Sequence, residues 1–451
     1  MVTSTPRVMP AAPAVSAARR ALAAAMSRGR TERGARSVRR ALEQPGSQAS
    51  PDRIARILAH ARAHVPFYRA LAGTPFAQLP VVSKAMILED LPTFLAEGAR
   101  PGRLASRMSS GTSGVIFTSY FDARRIAHHR AELVGAYRFL GADPFGSFLH
   151  CRDWFEVTRT QRRSAALRGQ FLYAAEEDER TVLEVASWLS RRRGSVVIGL
   201  CSYLEILLRR FEDLDVRIEP GAVGVVLGTG EPMTAELRAR TRRQLGVPLS
   251  MRYSNTENGL LGFTRPGESV YSLNTHAFHV EILRDGSDAA AAPGEVGRIV
   301  VTDLENRALP FLRYDTGDMG RFALDASGTV LPGTLAELSG RTRDFPLAGT
   351  PSAPRRVTHI VVLNAVEHIP GIRQFQLRQH DLGRFTWVVN AVPDPAIDAG
   401  LRAVLDAEIG DIVSCEVVYT DGPLRTGTGK RQTFVSEIPD PEALLRAARA
   451  A

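Results

Sequence analysis

The fold is decided by three short runs of sequence: Ser195-Val-Val-Ile-Gly199, Ala222-Val-Gly-Val-Val-Leu227 and Leu249-Ser-Met-Arg-Tyr253. Each run predicts a buried strand, and apolar residues at helical spacing occupy positions 181–192, 203–211 and 234–245 around them. Buried strands that alternate with helices are typical of α/β proteins with largely parallel sheets. The centre of the chain is therefore predicted to be an α/β domain.

Outward from this centre the pattern changes on both sides. Helices are predicted at residues 51–65, 81–95 and 123–140, and short strands with glycine turns at 278–332 predict a β-rich subdomain. After a turn at 340–344, strands near 374–379, 385–392 and 414–419 and a helix near 396–408 predict a small α+β domain. We therefore divide the chain into an Ala/Arg-rich arm (1–50), a large domain with parallel-rich sheets (51–340) and a small C-terminal domain (341–451).

Composition places the chain among ordinary globular proteins, since 44% of its 451 residues are hydrophobic and 23% are charged. The cysteines, Cys151, Cys201 and Cys415, are dispersed and form no CxxC pair, which favours a cytoplasmic setting over a disulfide framework or a zinc cluster. No apolar stretch has the length that a bilayer requires, and the N-terminus lacks the order of a secretory signal. No membrane partner is expected.

The net charge of +9 is concentrated in the arm. Residues 1–50 contain a run of arginines but no aromatic side chain on which a base could stack, so nucleic acid is not expected as a partner. The arm is predicted to be mobile or loosely helical. Its charge suits an acidic partner such as a carrier protein.

The clearest candidate for ligand binding is a run of hydroxyl residues and glycines: Ser109, Ser110, Gly111, Thr112, Ser113 and Gly114. Glycine lets the backbone approach a ligand closely, consecutive amides can converge on an anion, and the hydroxyls add donors. A strand-like run, 115–121, follows. Taken alone, the run fits either a phosphate-binding loop or a plain surface turn.

Two further clusters follow predicted strands. Gly228-Thr-Gly230-Glu231-Pro232 comes after the run at 222–227, and Tyr253-Ser254-Asn-Thr256-Glu257 comes at the end of the run at 249–253. Ligands of open α/β sheets bind at the carboxyl ends of strands, and a carboxylate beside phosphates is a natural Mg²⁺ ligand. Each cluster, taken alone, also fits a polar turn.

Two charged residues in the last third of the chain complete the candidates. Asp318, at a predicted strand–turn edge, could accept hydrogen bonds from both hydroxyls of a ribose. Lys430 lies at the tip of a Gly/Thr loop, where a mobile cation can meet developing negative charge. The loop is not a Walker A motif, because Leu424 and Arg431 stand where that motif has glycine and Ser/Thr. The alternatives are a turn aspartate and a solvated surface loop.

In this order and at these separations, the clusters resemble the adenylate-forming superfamily of acyl-CoA synthetases, nonribosomal-peptide adenylation domains and luciferases. Two N-terminal stretches are similar to the phenylacetate–CoA ligase group, which includes CapK-type proteins: LAHARAHVPFYR at residues 58–69 and LPVVSK at residues 79–84. The resemblance extends from about residue 55 to about residue 435, most of the chain.

The resemblance implies ATP-dependent activation of a carboxylic acid as acyl-AMP, with release of pyrophosphate, and then transfer to CoA, with Mg²⁺ as the metal. It also implies that the small domain rotates after adenylation. The resemblance implies that residues 109–114 bind phosphate and that Gly230, Glu231 and Pro232 line the adenine and acyl pocket. Tyr253, with Ser254 beside it, would stack on adenine, Thr256 would contact the α-phosphate, and Glu257 would bind Mg²⁺. Asp318 and Arg341 would bind the ribose, and Lys430 would bridge the attacking carboxylate and the nucleotide.

The chain departs from the family pattern at several positions. Phe117 stands near the place where many relatives carry a lysine in the phosphate loop, and Arg343 stands where an acidic hinge residue is common. Ser254 replaces the usual glycine after Tyr253, and the chain has no Cys/His metal cluster.

Several points of function stay open at this stage. An aryl or related organic acid is the expected substrate, because residues 258–262, NGLLG, carry no charged side chain. Transfer of the acyl group to a carrier-protein thiol, an amine or another nucleophile is the alternative to CoA. A catalytically silent nucleotide-binding module is a third possibility, which the intact Glu257, Asp318 and Lys430 argue against. A homodimer also stays open.

Overall fold

The computed structural model describes residues 30–44, 46–108, 117–151, 170–173, 179–231, 233–341, 346–357, 365–366, 369–372, 374–410, 414–421, 424, 433–438 and 444. Contacts between Cα atoms divide the chain into two units. Unit 1 comprises Met1–Glu281, Val300–Thr316 and Phe322–Glu337, and unit 2 comprises Ile282–Ile299, Gly317–Arg321 and Leu338–Ala451. Three segments that the sequence analysis assigned to the large domain, 282–299, 317–321 and 338–340, thus belong to unit 2.

The sheets of the first 341 residues are built from strands of three to twelve residues. The strands are β1 (Ala105–Met108), β2 (Thr118–Phe121), β3 (Phe148–Cys151), β4 (Gln170–Tyr173), β5 (Ser195–Leu200), β6 (Val223–Thr229), β7 (Leu249–Asn255), β8 (Gly259–Thr264), β9 (Tyr271–Leu273), β10 (Phe278–Leu283), β11 (Gly297–Asp303), β12 (Tyr314–Leu324) and β13 (Val330–Arg341).

An eleven-stranded sheet has the order β10-β11-β12-β13-β9-β8-β7-β6-β5-β3-β4. The pairs β4–β3, β3–β5, β5–β6 and β6–β7 are parallel, whereas β7–β8 and β8–β9 are antiparallel. Strands β1 and β2 form a separate antiparallel pair. The predicted parallel α/β centre is confirmed, and the carboxyl ends of β5, β6 and β7 lie side by side at one edge of the sheet.

Helices cover both faces of this sheet, as parallel strands require. The helices of this part are α1 (Arg30–Glu43), α2 (Pro51–His64), α3 (Pro66–Arg69), α4 (Lys84–Glu89), α5 (Leu91–Phe94), α6 (Ala123–Phe139), α7 (Glu179–Ser190), α8 (Cys201–Asp213) and α9 (Ala235–Leu245). None of the described helices combines the length and the apolar character that crossing a membrane requires.

The described part of the arm is a packed helix. In α1, Ala35, Val38 and Leu42 are 0%, 1% and 0% exposed, and they lie against α6. Gly135 of α6 permits the close approach, because a Cβ atom there would lie 2.6 Å from the carbonyl oxygen of Ala35. The expectation of a mobile or loosely helical arm is therefore wrong for residues 30–43, whose apolar stripe joins the core.

Several predicted elements differ from the structure in their bounds. The helix expected at 81–95 is two short helices, α4 and α5, because Pro92 cannot donate the backbone hydrogen bond that a continuous helix needs. Strands β6 and β7 each extend two residues beyond their predicted ends. Strand β6 continues to pair with β7 up to Thr229–Arg252, and β7 continues to pair with β8 up to Asn255–Gly259. Asp318, expected at a strand–turn edge, lies within the long strand β12.

The later part of unit 2 is a small sheet with a covering helix. Its strands are β14 (Leu347–Thr350), β15 (Ala353–Arg356), β16 (Gln374–Gln379), β17 (Arg384–Asn390), β18 (Ser414–Tyr419) and β19 (Phe434–Ser436). The last four form a sheet in the order β18-β17-β16-β19. Helix α10 (Pro395–Glu408) begins after Asp394, whose carboxylate accepts a hydrogen bond from the amide of Ala396, and it packs Leu401 and Leu405 against Trp387.

Candidate functional site

The ends of β6 and β7 bring two of the predicted clusters to one edge of the sheet. Because Thr229 is paired with Arg252, the loop that starts at Gly230 lies next to the end of β7. Gly230 has φ +72°, and a Cβ atom there would lie 2.9 Å from Cδ2 of Leu200. The positive φ favours glycine at this position, and a Cβ atom there would in addition displace the end of the Leu200 side chain.

Glu231 anchors this loop to the start of helix α8. Its Oε2 accepts a hydrogen bond from the amide of Ser202 at 2.7 Å, and its Oε1 accepts one from the Ser202 hydroxyl at 3.0 Å. A carboxylate at a helix N-terminus is stabilised by the unpaired amides and by the helix dipole. Glu231 thus holds the position of the loop, and Pro232 lies outside the described residues.

Strand β7 carries the second cluster to the same edge. Tyr253, Ser254 and Asn255 are the last residues of the strand, and the Tyr253 side chain is only 5% exposed. A turn then leads back into β8, closed by Oδ1 of Asn255, which accepts a hydrogen bond from the amide of Asn258 at 2.7 Å. Thr256 and Glu257 are therefore held in a tight polar turn.

Glu257 has a basic partner that the sequence analysis did not assign to the site. Its Oε1 lies 2.8 Å from Nζ of Lys84, and the side chains are 6% and 26% exposed. Lys84 belongs to the LPVVSK stretch, which supported the family resemblance but received no chemical role. The site therefore contains a cation and a carboxylate in direct contact.

The backbone before Lys84 explains its position. The amide of Val82 donates to the carbonyl of Arg313 and its carbonyl accepts from the amide of Asp315, both at 2.9 Å. The Ser83 hydroxyl then accepts a hydrogen bond from the amide of Met86, which starts α4 at Lys84. The lysine thus stands on the first turn of a helix that is fixed to the sheet.

Phe117, which replaces the lysine of many relatives, lies beneath Lys84. The Lys84 ammonium is 5.4 Å from the centroid of the Phe117 ring, which is 1% exposed. A cation over an aromatic face is attracted by the electrons of the ring. A basic group thus lies next to Phe117, on a different segment of the chain.

A buried ionic network supports the turn that carries Glu257. Arg125 of α6 is 2% exposed; its Nε is 2.8 Å from Oδ2 of Asp303, and its Nη1 is 2.9 Å from Oε1 of Glu132. Its Nη2 donates to the carbonyl oxygen of Asn258 at 2.5 Å. One guanidinium thus holds together two carboxylates and the backbone of the turn between β7 and β8.

The charges of this network depend on one another. Burial alone would raise the pKa of Glu132, but the Arg125 charge and hydrogen bonds with His128 and His129 hold that pKa far below its usual value. Burial also raises the pKa of Asp303, a shift that Arg125 opposes. The ionised forms of Glu132 and Asp303 are therefore both stabilised by Arg125.

The remaining predicted site residues are placed as follows. Asp318 lies in β12, in a segment that belongs to unit 2, and its side chain is half-buried. Arg341 is the last residue of β13. Residues 109–114 and Lys430 lie outside the described residues, so their positions in the site stay predictions.

The donor set around Glu257 suits Mg²⁺ bound with a nucleotide. No group of three or more His, Cys, Asp or Glu residues that could hold a metal occurs in the described part of the chain. Mg²⁺ needs no such cage when phosphates and water supply most of its ligands, and one carboxylate is enough. Glu257 therefore stays the predicted Mg²⁺ ligand, with the Thr256 hydroxyl next to it in the sequence.

Comparison with known sequences agrees with the resemblance. No family model matches the chain. The phenylacetate–coenzyme A ligase of Thermus thermophilus is 26% identical over 299 residues, which cover 59% of this chain and 64% of that protein. The Escherichia coli enzyme of the same name is 30% identical over 156 residues, 31% of this chain and 33% of that protein. The chain thus matches less than two thirds of the length of these relatives.

Comparison with solved structures confirms the fold class. The crystal structure of 2-hydroxyisobutyryl-CoA ligase in the postadenylation state with 2-HIB-AMP has a TM-score of 0.65 at 15% identity, over 89% of this chain and 91% of that one. ATP-bound MatB from Rhodopseudomonas palustris has a TM-score of 0.53 at 18% identity, over 74% and 67%. At these identities the likeness concerns the fold.

Proposed function

From its adenylate-forming CoA ligase fold and its sequence similarity to the phenylacetate–CoA ligases, we propose that this protein is an AMP-forming acid–thiol ligase. It activates a carboxylic acid with ATP as acyl-AMP, releases pyrophosphate and transfers the acyl group to CoA. The observation that carries the proposal is the contact between Lys84 and Glu257 at the carboxyl ends of the parallel strands.

The chemistry requires little covalent help from the protein. The acid carboxylate attacks the α-phosphorus of ATP, the bond to the bridging oxygen breaks, and pyrophosphate leaves with the electron pair. What the chain supplies is orientation and positive charge. Lys84 contacts Glu257 and lies over Phe117, which follows the predicted phosphate loop in the sequence, so we assign its ammonium to the charge that develops on the pyrophosphate.

Each of the other site residues is assigned to one part of the nucleotide or of the acid. Glu257 would hold Mg²⁺, which neutralises phosphate charge when bound. Thr256 would contact the α-phosphate and Tyr253 the adenine, while Asp318 and Arg341 would bind the ribose. The loop at 230–232 would line the adenine and acyl pocket, held in place by Glu231. Lys430 would bridge the carboxylate and the nucleotide.

Pyrophosphate release tests the proposal directly. Purified protein is mixed with ATP, Mg²⁺ and single members of a panel of aromatic, aliphatic and dicarboxylic acids, and pyrophosphate is measured. Acid-dependent release is expected with at least one member, and mass spectrometry with and without CoA is expected to detect acyl-CoA and acyl-AMP. Folded protein that binds ATP but releases no pyrophosphate with any acid would contradict the proposal.

Replacement of Lys84 measures its contribution. Lys84→Met is expected to lower kcat/KM for pyrophosphate release by about 100-fold, because one preorganised charge at a transition state is worth roughly that much. Lys84→Arg, which keeps the charge, should retain more of the activity. Arg103, an exposed cation in the helical turn Pro101–Arg103, serves as control: Arg103→Met should leave kcat/KM unchanged. Equal rates for Lys84→Met and wild type would remove Lys84 from the mechanism.

A carrier protein is the second candidate acceptor, and helix α1 is the observation that favours it. The two acidic residues of α1 are paired, Glu32 with Arg138 at 2.6 Å and Glu43 with Arg39 at 2.7 Å. Arg33, Arg36 and Arg40 are exposed, so this face is basic. Reversing these three charges to glutamate leaves the buried stripe of α1 intact. It should weaken transfer to an acidic carrier protein while leaving transfer to CoA unchanged.

A further inference from the structure

Arg252 is a cation at the proposed site that neither the family resemblance nor the roles above use. It lies in β7 directly before Tyr253 and is paired with Thr229 of β6 and with Phe263 of β8. Side chains of a strand alternate between its faces, so Arg252 points away from the face of Met251 and Tyr253. The Met251 face packs against α8 and α9 through the core that contains Leu204.

The opposite face, where Arg252 lies, is lined with apolar rings. Tyr137, Phe148 and Phe263 belong to one hydrophobic cluster, and the rings of Tyr137 and Phe148 meet edge-on with centroids 5.0 Å apart. Burial lowers the pKa of Arg252, and the effect of the Tyr137 phenol opposes this only in part. The guanidinium therefore lies in poorly solvated surroundings, yet its side chain is not fully covered.

The described residues supply little that compensates for this charge. Nε of Arg252 donates to Oγ1 of Thr229 at 3.3 Å, and no carboxylate among the described residues lies within ion-pair distance. The two described arginines that are only 2% exposed do have anionic partners: Arg125 has two carboxylates, and Arg313 has Glu281 together with two backbone carbonyls. A guanidinium that is partly shielded from water and has no anion beside it is costly, so a site that retains one is expected to receive an anion from a ligand.

The position favours the acid over the nucleotide as the source of this anion. The residues proposed to bind adenine, the α-phosphate and Mg²⁺ are Tyr253 and the turn after β7, whereas Arg252 is on the other face of the strand, above the aromatic cluster. An apolar cluster with a cation at its edge matches a molecule that has an apolar body and a terminal charge.

We propose that Arg252 binds a second carboxylate of the acid substrate, so that the enzyme activates dicarboxylic acids at the end far from this arginine. The inference rests on the proposed function and names the substrate class for it. A guanidinium can hold a carboxylate through two parallel hydrogen bonds, a geometry that a lysine does not reproduce. This proposal differs from the expectation of an acid without a charged body, which considered residues 258–262 and not the arginine before Tyr253.

Matched pairs of acids test the proposal. Phenylacetate is compared with 4-carboxyphenylacetate, and butyrate with succinate, by pyrophosphate release from wild type, Arg252→Met and Arg252→Lys. For wild type, at least one diacid is expected to exceed its monoacid in kcat/KM by about 10-fold or more. In Arg252→Met, kcat/KM with that diacid should fall by about 10- to 100-fold, as expected for the loss of a charge-assisted hydrogen bond. With the monoacid, kcat/KM should fall by less than about 3-fold. KM for ATP should not change.

Other kinetic outcomes would overturn the inference while leaving the proposed function intact. A second carboxylate in the substrate is excluded if wild type has the higher kcat/KM with the monoacid of both pairs. It is also excluded if Arg252→Met lowers kcat/KM equally for diacid and monoacid. A rise in KM for ATP in Arg252→Met, with unchanged selectivity between acids, assigns the arginine to a phosphate instead. Each result is obtained with an enzyme that releases pyrophosphate, so the proposed function survives it.

If no acid is turned over, a binding measurement tests whether Arg252 binds a second carboxylate. The thermal midpoint of wild type and of Arg252→Met is measured with and without 4-carboxyphenylacetate or succinate, in the presence of α,β-methylene-ATP. A diacid should raise the midpoint of wild type more than that of Arg252→Met. Without ligand, Arg252→Met should melt no lower than wild type, because it removes an uncompensated charge. A lower midpoint without ligand, together with no diacid effect on wild type, indicates a structural arginine and overturns the proposal.

Discussion

Arg125→Met is expected to lower the free energy of unfolding by about 3–5 kcal/mol, the usual cost of removing one partner from a buried ion pair. Asp303 and Glu132 are each 0% exposed and would be left without their compensating cation. The carbonyl of Asn258 would also lose its donor. The measurement is the shift of the urea unfolding midpoint at neutral pH.

The neighbouring arginine provides the control for this prediction. Arg124 pairs with Glu305 at 2.9 Å, but its side chain is 55% exposed, so Arg124→Met should cost less than about 1 kcal/mol. Adding Asp303→Asn to Arg125→Met should recover part of the loss, because it removes one of the stranded charges. Equal midpoint shifts for Arg124→Met and Arg125→Met would show that the buried network contributes no more than a surface ion pair.

The same network predicts how stability depends on pH. The pKa of Glu132 is far lower in the folded protein than the 4.5 of an ordinary glutamate, so the folded state binds its proton only at lower pH. The resulting stabilisation is fully present above about pH 4.5 and is lost as the pH falls below it. In Arg125→Met the pKa of Glu132 should rise. The free energy of unfolding should then depend less steeply on pH in the range where Glu132 contributes.

Lys430→Ala is expected to lower acid-dependent pyrophosphate release by about 100- to 1,000-fold, the usual effect of removing one preorganised charge from a transition state. The family resemblance implies that this lysine acts in adenylation and is withdrawn before thioester formation. Synthetic acyl-AMP supplied with CoA should therefore be converted to acyl-CoA at the wild-type rate. The two half-reactions are measured separately, by pyrophosphate release and by acyl-CoA formation.

The adjacent basic residue is the matched control for Lys430. Arg431→Ala changes the charge of the loop by the same amount, and it should leave pyrophosphate release within a few-fold of wild type. If Lys430→Ala and Arg431→Ala lose activity equally, then general positive charge in the loop matters and Lys430 has no specific role. If Lys430→Ala slows both half-reactions equally, its assignment to adenylation is wrong.

Local patterns predicted much of the large unit. The strands at 195–199, 222–227 and 249–253 and the helices between them follow from apolar spacing, since buried parallel strands and amphipathic helices have distinct periods. The ends of β6 and β7 were placed too early because strand length depends on the neighbouring strand. The packing of helix α1 was not predicted, because its apolar residues acquire a partner only when α6 folds against them.

The sequence by itself determined the α/β class and the order of the candidate motifs, because both depend on residue type and spacing along the chain. Only the tertiary structure decided which charges meet. Lys84 reaches Glu257, far along the chain, because Val82 hydrogen-bonds to the backbone at Arg313 and Asp315. Among the described residues, Arg125 meets two carboxylates and Arg252 meets none, although both are arginines in ordinary sequence contexts. Charge pairing depends on distance in space, which no local pattern of residues records.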